Sequence, residues 1–405
     1  MYTVQFLPYT PLSGTAGPYN TVYSYLLHHP LTEGRHILEP DLQLRMNESG
    51  SFTFTVTQKH PYYARMLQNP LWDAAVYRDG KFLWAGHPLI QDIDIYGNVT
   101  FQCEGVLGYL ADNYIGTFSD RKTPGGWLYT FLVRARYQQF LAGGNMAFHR
   151  SFWSDGSSDF DYTGAVEPDG SGGYVYSESK NGVRRYSKAP MPAMNAIQTR
   201  LIDYFGGMLS VTLEGTESKY RVDYTNPWKR PASLPPDHVF QIGRNITDAS
   251  VSVDYTDFCT AIAFTDSGGS AVRFPEQHDS YWLSDTAYCP KNQFYFVNTA
   301  LQRQYGLIVK EQPAELENIY DTSGAVTAEA VGTFLLAASQ LKAPQYRVQV
   351  TAVETDTPFC IGDIAQVVLP AHGIRARMVL SELSIRLDDP TSCTATLSGT
   401  VGEGG

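Results

Sequence analysis

Residues Ser51–Thr57 read Ser-Phe-Thr-Phe-Thr-Val-Thr, a strict alternation that puts Phe52, Phe54 and Val56 on one side of an extended chain. A helix repeats its apolar positions every three to four residues, so a period of two demands a strand with one wet and one dry face. Such a strand needs neighbours. Met1–Leu7 alternates as well, and His36–Met46 is extended with Leu42 and Leu44 on one face before the turn Asn47–Gly50. Asp73–Tyr77 leads into the tight turn Arg78-Asp79-Gly80 and then the long strand Lys81–Ile95, bent near Gly86–Pro88. Tyr96-Gly97-Asn98 turns it back into Val99–Glu104, completing an antiparallel meander of the kind that builds a small barrel or sandwich.

The end of the chain repeats this order. Ile364–Leu369 is a strand, Pro370–Gly373 a turn, Ile374–Leu387 a long strand, Asp388–Ser392 a turn and Cys393–Gly399 a last strand. Asp73–Gly105 has the same sequence of events, closing in Val99–Gly105 as the later copy closes in Cys393–Gly399, and the two agree in pattern more than in identity. We read two copies of one β module.

Between them the period changes. Trp127–Phe140 has helical spacing, and 141–190 is a Gly-, Ser-, Asp- and Tyr-rich stretch read as a long loop with one hairpin, of the kind that contacts partners. Met191–Tyr204 is an amphipathic helix with Pro192 in its first turn and Gly206-Gly207 at its end. Met208–Leu213 and Tyr220–Tyr224 form a hairpin, Pro227–Pro236 a connector, and Phe240–Phe264 returns to strands with Val251 and Val253 alternating. Ala328–Leu341 is a helix carrying Val331, Leu335, Ala338 and Leu341 on one face, and Tyr346–Val353 is a strand.

A chain of 405 residues exceeds one ordinary core. The expected division is a first β-barrel domain 1–115, an α+β domain 116–238, a second β-barrel domain 239–268 plus 345–405, and an inserted α+β segment 269–344. The fold class is mainly β, α+β multidomain.

Charge and chemistry narrow the function. A net charge of −11 does not suit non-specific DNA binding by counterion release, though it suits DNA sliding past. With 13% aromatic residues, 27 of them Tyr, the composition favours strands and protein contacts. The N-terminus MYTVQFLPYT lacks a signal-peptide pattern, and no apolar run is long enough to span a bilayer, so folding in a cytoplasm is expected. Cys103, Cys259, Cys289, Cys360 and Cys393 are too dispersed for a disulfide framework or a zinc site and read as small buried hydrophobes.

No His-Glu-x-x-His is present, and the His residues, among them His28, His29, His60, His87 and His372, read as turn or surface residues. Cys289 with His278 lacks the local signature of a thiol hydrolase, and no Gly-x-Ser-x-Gly elbow exists. Glu311, Glu315 and Glu317, and Asp155, Asp159 and Asp161, are carboxylate clusters that read as solvated faces. Gly170–Gly173 and Thr123–Gly126 lack the context of a phosphate cradle. Phe152, Trp153, Phe160, Tyr162, Tyr174 and Tyr176 are expected to pack against a neighbouring subunit, with sugar binding as the alternative. No catalytic, cofactor or metal residue is expected.

Taken in order, GRHILEPDLQLRMNESGSFTFTVTQKHPYYARM, VYRDGKFLWAGHPL and VTFQCEGVLGYLAD resemble the N-terminal region of phage minor structural proteins, the tail-associated (Tal-type) baseplate hub proteins of siphophages and prophages of Gram-positive bacteria. IGRNITDASVSVDYTDFCTAI and FCIGDIAQVVLPAHGIRARMVLSELSIRL are similar to later elements of that family. The resemblance implies a homotrimer with two tube-type barrels per subunit, closing the tail tube and adapting its six-fold symmetry to a three-fold tip. It implies tail tube and distal tail proteins, the tape measure protein and tip or receptor-binding proteins as partners, DNA passage without specific binding, and a place at the virion tail tip. Many such proteins continue into a hydrolase or receptor-binding region, whereas this sequence ends at Gly-Glu-Gly-Gly, so the lytic activity of such relatives is not expected here; peptidoglycan hydrolysis and host-surface carbohydrate binding are the alternatives to the hub reading.

Overall fold

The computed structural model describes residues 1–8, 24–68, 72–141, 151–160, 165–171, 173–177, 182–214, 219–229, 239–266, 268–274, 278–314, 316, 318–352, 359–389 and 393–399. Much of the 141–190 segment and of the Pro227–Pro236 connector lies outside these, as do Asp161, Tyr162, Gly172, Glu315 and Glu317.

The architecture is mainly β. Its centre is a 13-stranded sheet. The first half supplies β1 (Tyr2–Pro8), β2 (Tyr25–His28), β3 (Leu38–Arg45), β4 (Ser51–Val56), β5 (Trp72–Arg78), β6 (Lys81–Ile93) and β7 (Val99–Gly105). The second supplies β8 (Val239–Gln241), β9 (Ile246–Asp254), β10 (Gln345–Ala352), β11 (Ile364–Leu369), β12 (Ile374–Arg386) and β13 (Cys393–Gly399). The alternation in Ser51–Val56 is realised in full: Phe52, Phe54 and Val56 are completely buried, and the residues between them are not. Burying three such side chains gives each strand a dry face worth about 1.5–3 kcal/mol per residue.

The spatial order of the first half is β3-β4-β7-β6-β5-β1, with β2 beyond β1; that of the second is β9-β10-β13-β12-β11-β8. Strand by strand, in sequence and in space, the two orders correspond. Both long strands have 13 residues and both closing strands have 7. One difference is that β1 runs antiparallel to β5, whereas β8 runs parallel to β11. Another is that β3 turns directly into β4 through Asn47–Gly50, whereas residues 255–344 intervene between β9 and β10. One buried apolar cluster runs through both halves, from Val4 and Phe6 to Ala395 and Leu397.

Part of what the sequence groups with the second module lies elsewhere. Ala261–Thr265 joins a 7-stranded sheet with Ala165–Pro168, Tyr174–Ser177, Tyr281–Leu283, Ala287–Cys289, Tyr295–Asn298 and Val309–Pro313. The helix Ala328–Ser339 covers that sheet, with Phe334 stacked on Phe264 at 4.1 Å. Thr327 caps the helix by accepting a hydrogen bond from the Ala330 amide. A Cβ at Gly332 would sit 2.4 Å from the Val166 carbonyl oxygen, so glycine permits this close approach of helix and strand.

A third cluster joins the helix Pro124–Leu141 to the helical segment Ala193–Phe205 around Trp127, Phe131, Ile197 and Leu201. The latter segment has a π-helical turn at Gln198–Ile202 and ends at Gly206 with φ 69°. The strands Ser151–Trp153, Met208–Glu214 and Lys219–Thr225 form its small sheet.

Candidate functional site

The corresponding halves of the large sheet meet in a seam. The first part of β12 pairs with β11, and its last five residues pair antiparallel with β3, Glu382 opposite Arg45, Leu383 opposite Leu44, Ser384 opposite Gln43, Ile385 opposite Leu42 and Arg386 opposite Asp41. The ladder extends at both ends: the Met46 amide donates to the Ser381 carbonyl at 2.8 Å and the Leu387 amide to the Pro40 carbonyl at 2.9 Å. Leu42, Leu44, Leu383, Ile385 and Leu387 bury their side chains along this seam.

The ladders fix which residues correspond between the halves. Val99 and Cys393 each begin a closing strand, and they lie opposite Ile93 and Ile385. Cys103 and Leu397 each stand fifth in those strands; they lie opposite Phe52 and Val348, which lie opposite Leu42 and Val251. Both long strands also carry a bulge, at Leu89 in β6 and at Ser381 in β12. Ile93 therefore corresponds to Ile385, Ile95 to Leu387, Val251 to Leu42 and Val253 to Leu44.

The corresponding residues differ in burial. Ile385 and Leu387 are 2% and 5% exposed, while Ile93 and Ile95 are 57% and 92% exposed. Among the described residues the last part of β6 pairs only with β7, and β9, apart from a bridge of Ile246 to Ile242, pairs only with β10. Leu42 is fully buried, but Val251 and Val253 are only half-buried. Among the described residues there is thus one closed seam and, at the corresponding places of the two halves, two strand edges without a partner strand.

The exposed β6 end is held in place. The Tyr63 hydroxyl donates to the Gly97 carbonyl at 2.6 Å and the Gln58 amide to the Tyr96 carbonyl at 3.1 Å. The Asp94 carboxylate accepts from the Tyr96 and Asn98 amides at 2.8 Å each and from the Asn98 side chain, which holds its pKa below the usual value. Ile95 and Tyr96 are presented on a rigid tip.

The sheet face opposite the dry one carries hydroxyl and amide side chains, among them Thr53, Thr55, Thr100, Gln102, Gln349 and Thr394. Three of its arginines have acidic partners: Arg347 pairs with Glu382 at 2.6 Å, Arg386 with Asp388 at 2.9 Å and Arg45 with Glu48 at 3.6 Å, while Arg375 and Arg377 are exposed on β12.

The residues weighed for chemistry do not converge. His28, His60 and His278 are buried, contrary to their reading as turn or surface residues. The His60 ring bonds the Leu27 carbonyl at 2.9 Å and accepts from the Tyr62 amide, and burial keeps His60 and His28 neutral, His28 with a pKa lowered to about 4. His87 stacks on Tyr109 at 4.0 Å, and His372 is exposed. Both ring nitrogens of His278 face backbone carbonyls at 2.8 Å, and burial pushes the Cys289 thiol up to about 12. This arrangement is packing, with no thiolate available. Cys103, Cys259 and Cys393 are buried too, and Cys360 is half-buried.

Asp155 pairs with Arg221 at 2.9 Å, Asp159 accepts from the Asn226 amide at 2.6 Å, and Glu311 is exposed on its strand. Asp169 accepts from the Ser171 and Gly173 amides within the Gly170–Gly173 turn, and Thr123 accepts from the Gly126 amide in Thr123–Gly126. Four of the aromatic residues have partners within the chain: Phe152 stacks on Tyr220, Phe160 on Tyr224, Tyr174 meets Tyr281 edge-on, and Trp153 donates to Glu214; Tyr162 and the Tyr176 side chain lie outside the described residues.

Sequence reasoning missed the open edges. Their signal was present: Ile93 and Ile95 continue the alternation of β6 past the point where a lone module has anything to cover them.

The fold is that of phage tail proteins. The prophage tail protein gp18 from Listeria monocytogenes matches with TM-score 0.53 and 12% identity, covering 99% of this chain and 95% of that one. A tail protein from Neisseria meningitidis matches with TM-score 0.52 and 13% identity over 98% of this chain and 96% of that one. The 43 kDa tail protein of prophage MuSo2 from Shewanella oneidensis matches with TM-score 0.52 and 12% identity over 98% of each. No family model and no curated protein matches the sequence.

Proposed function

We propose that this chain is a structural subunit of a phage-type tail tip, a Tal-like baseplate hub that assembles as a homotrimer. One observation carries the reading: the chain contains two corresponding modules, joined by one closed seam, with the two edges of a second seam left open. Three copies place six such tube-type, barrel-like modules around an axis, and closed rotation leaves no free edge. The ring offers six near-equivalent positions to a tail tube and three to a tip.

The likeness to prophage tail proteins supports the tail assignment. Tail tube and distal tail proteins, the tape measure protein and further tip proteins are the partners that this position implies. The hydroxyl- and amide-rich face, with Arg45, Arg347 and Arg386 paired to acids, suits a wall past which DNA travels without being held. We assign no catalytic step to the chain. Peptidoglycan turnover by the folded protein would contradict that.

Light scattering across a concentration series tests the assembly. A stable mass of three chains is expected; a monomer at every concentration would overturn the trimeric hub.

A further inference from the structure

We propose that the open end of β6 pairs antiparallel with β9 of a second copy of this chain, in the register of the closed seam. This rests on the trimeric reading and adds which strands meet and how. The template is internal. Ile385 lies opposite Leu42, Leu383 opposite Leu44, and the Leu387 amide bonds the Pro40 carbonyl. Moved onto corresponding residues, Ile93 lies opposite Val251 of the partner subunit, and Gln91 opposite Val253 of the partner subunit. The Ile95 amide then donates to the carbonyl of Ala249 of the partner subunit.

Three observations favour a second copy as the occupant. First, the two edges are complementary in kind: each lacks what the other supplies, since β12 is to β3 as β6 is to β9. Second, exposed apolar side chains at the end of β6 and in the turn after it have buried counterparts: Ile95 at 92% against Leu387 at 5%, and Ile93 at 57% against Ile385 at 2%. Third, the register sets no like charges directly opposite. Asp92 faces Ser252 of the partner subunit, Asp94 faces Ser250 of the partner subunit, and Ile90 faces Asp254 of the partner subunit. A one-residue slip would turn Ile93 and Val251 to opposite faces, so the register is specified by the apolar pattern. The bracing of Gly97 and Tyr96 by Tyr63 and Gln58 holds the edge in its paired shape before a partner arrives.

The full-length chain carrying Ile93→Cys with Val251→Cys, treated with a short bis-maleimide, tests the register. Covalent species up to three chains are expected, absent from either single variant and weak for Ile93→Cys with Val253→Cys. A second variant, Ile93→Asp with Ile95→Asp, should abolish the trimer yet keep the unfolding midpoint of the single chain, since both residues are exposed there. A trimer by light scattering that does not cross-link at 93 and 251, or that survives the double aspartate change, overturns this pairing and leaves the trimeric reading standing. A wild-type monomer at all concentrations overturns both.

Discussion

The two halves of the large sheet share a strand order but not a state of completion. The second half has its long strand β12 covered along both edges, by β11 and β3 on one side and β13 on the other. The first half has the same long strand, β6, with its last residues covered on one side only. Where the sequence copies a module but the environment does not copy with it, the uncovered residues show what the environment must supply. Ile385 and Ile93 are the same residue in corresponding places, one dry and one wet. Ile93 is not alone: Leu89, Ile90, Ile95 and Tyr96 are exposed around it, an apolar group of the kind that marks a contact surface.

The sharpest way to break this comparison is to put a charge into each seam. Leu42→Asp in the closed seam should cost about 4 kcal/mol or more, because it buries a carboxylate without a partner. Val251→Asp, its counterpart, should change single-chain stability by about 1 kcal/mol or less. Denaturant unfolding of both variants at a concentration where the chain is monomeric measures the contrast, and equal losses would show the halves to be equally closed. Truncation gives a smaller version: Ile385→Ala should cost about 2–5 kcal/mol, and Ile93→Ala about 0.5 kcal/mol or less in the monomer.

Acid separates the halves in another way. His28 and His60, buried and neutral, lie in the first half, while His372 in the second is exposed. The folded His28 has a pKa near 4 against an ordinary value of 6.5, so the unfolded chain takes up its proton first as the pH falls. Stability is intact above about pH 6.5 and declines by up to about 3 kcal/mol by pH 4. Hydrogen exchange at pH 5 should open β1 and β2 before β10 and β13; the reverse order would contradict the neutral-histidine account. The smallest effect concerns the braced tip. Tyr63→Phe removes one hydrogen bond to Gly97, worth about 1 kcal/mol, and should speed amide exchange at residues 96–98 without moving the global midpoint.

Local pattern was legible in the sequence and long-range partnership was not. Period-two alternation located β3, β4, β6, β7, β12 and β13 to within a residue or two, because it reports a dry face, which is a local property. It cannot report which strand lies alongside. Nothing in Asp41–Arg45 announces that the other side of the strand belongs to Glu382–Arg386, more than three hundred residues away. Nor does anything in Ala261–Thr265 assign it to a sheet apart from β9. The buried histidines were misread for the same reason: Pro and Gly beside them mark turns, but a turn can be packed over. The repeat itself was visible from order and length. Ile93 and Ile95 mark the open edge in the sequence, but alternation alone does not say that no strand lies beside them.

At the closed seam the turn between β3 and β4 is fastened down. Asn47, at φ 66°, donates to the Gly207 carbonyl at 3.0 Å and accepts from the Leu209 amide at 2.8 Å. At the corresponding turn of the second half the chain instead leaves the sheet at Asp254 and re-enters at Gln345, with five strands of the 7-stranded sheet and its covering helix in between. A hairpin turn is the point where chain can be lengthened with the least disturbance to the strands on either side. The β9–β10 junction is therefore a graft point: what is spliced there can diverge in sequence and shape, except where it meets Ala165–Pro168 and Tyr174–Ser177, while the strands that carry it stay under the constraint of their neighbours. Lineages of this fold should differ most between β9 and β10 and least in the strands flanking that gap.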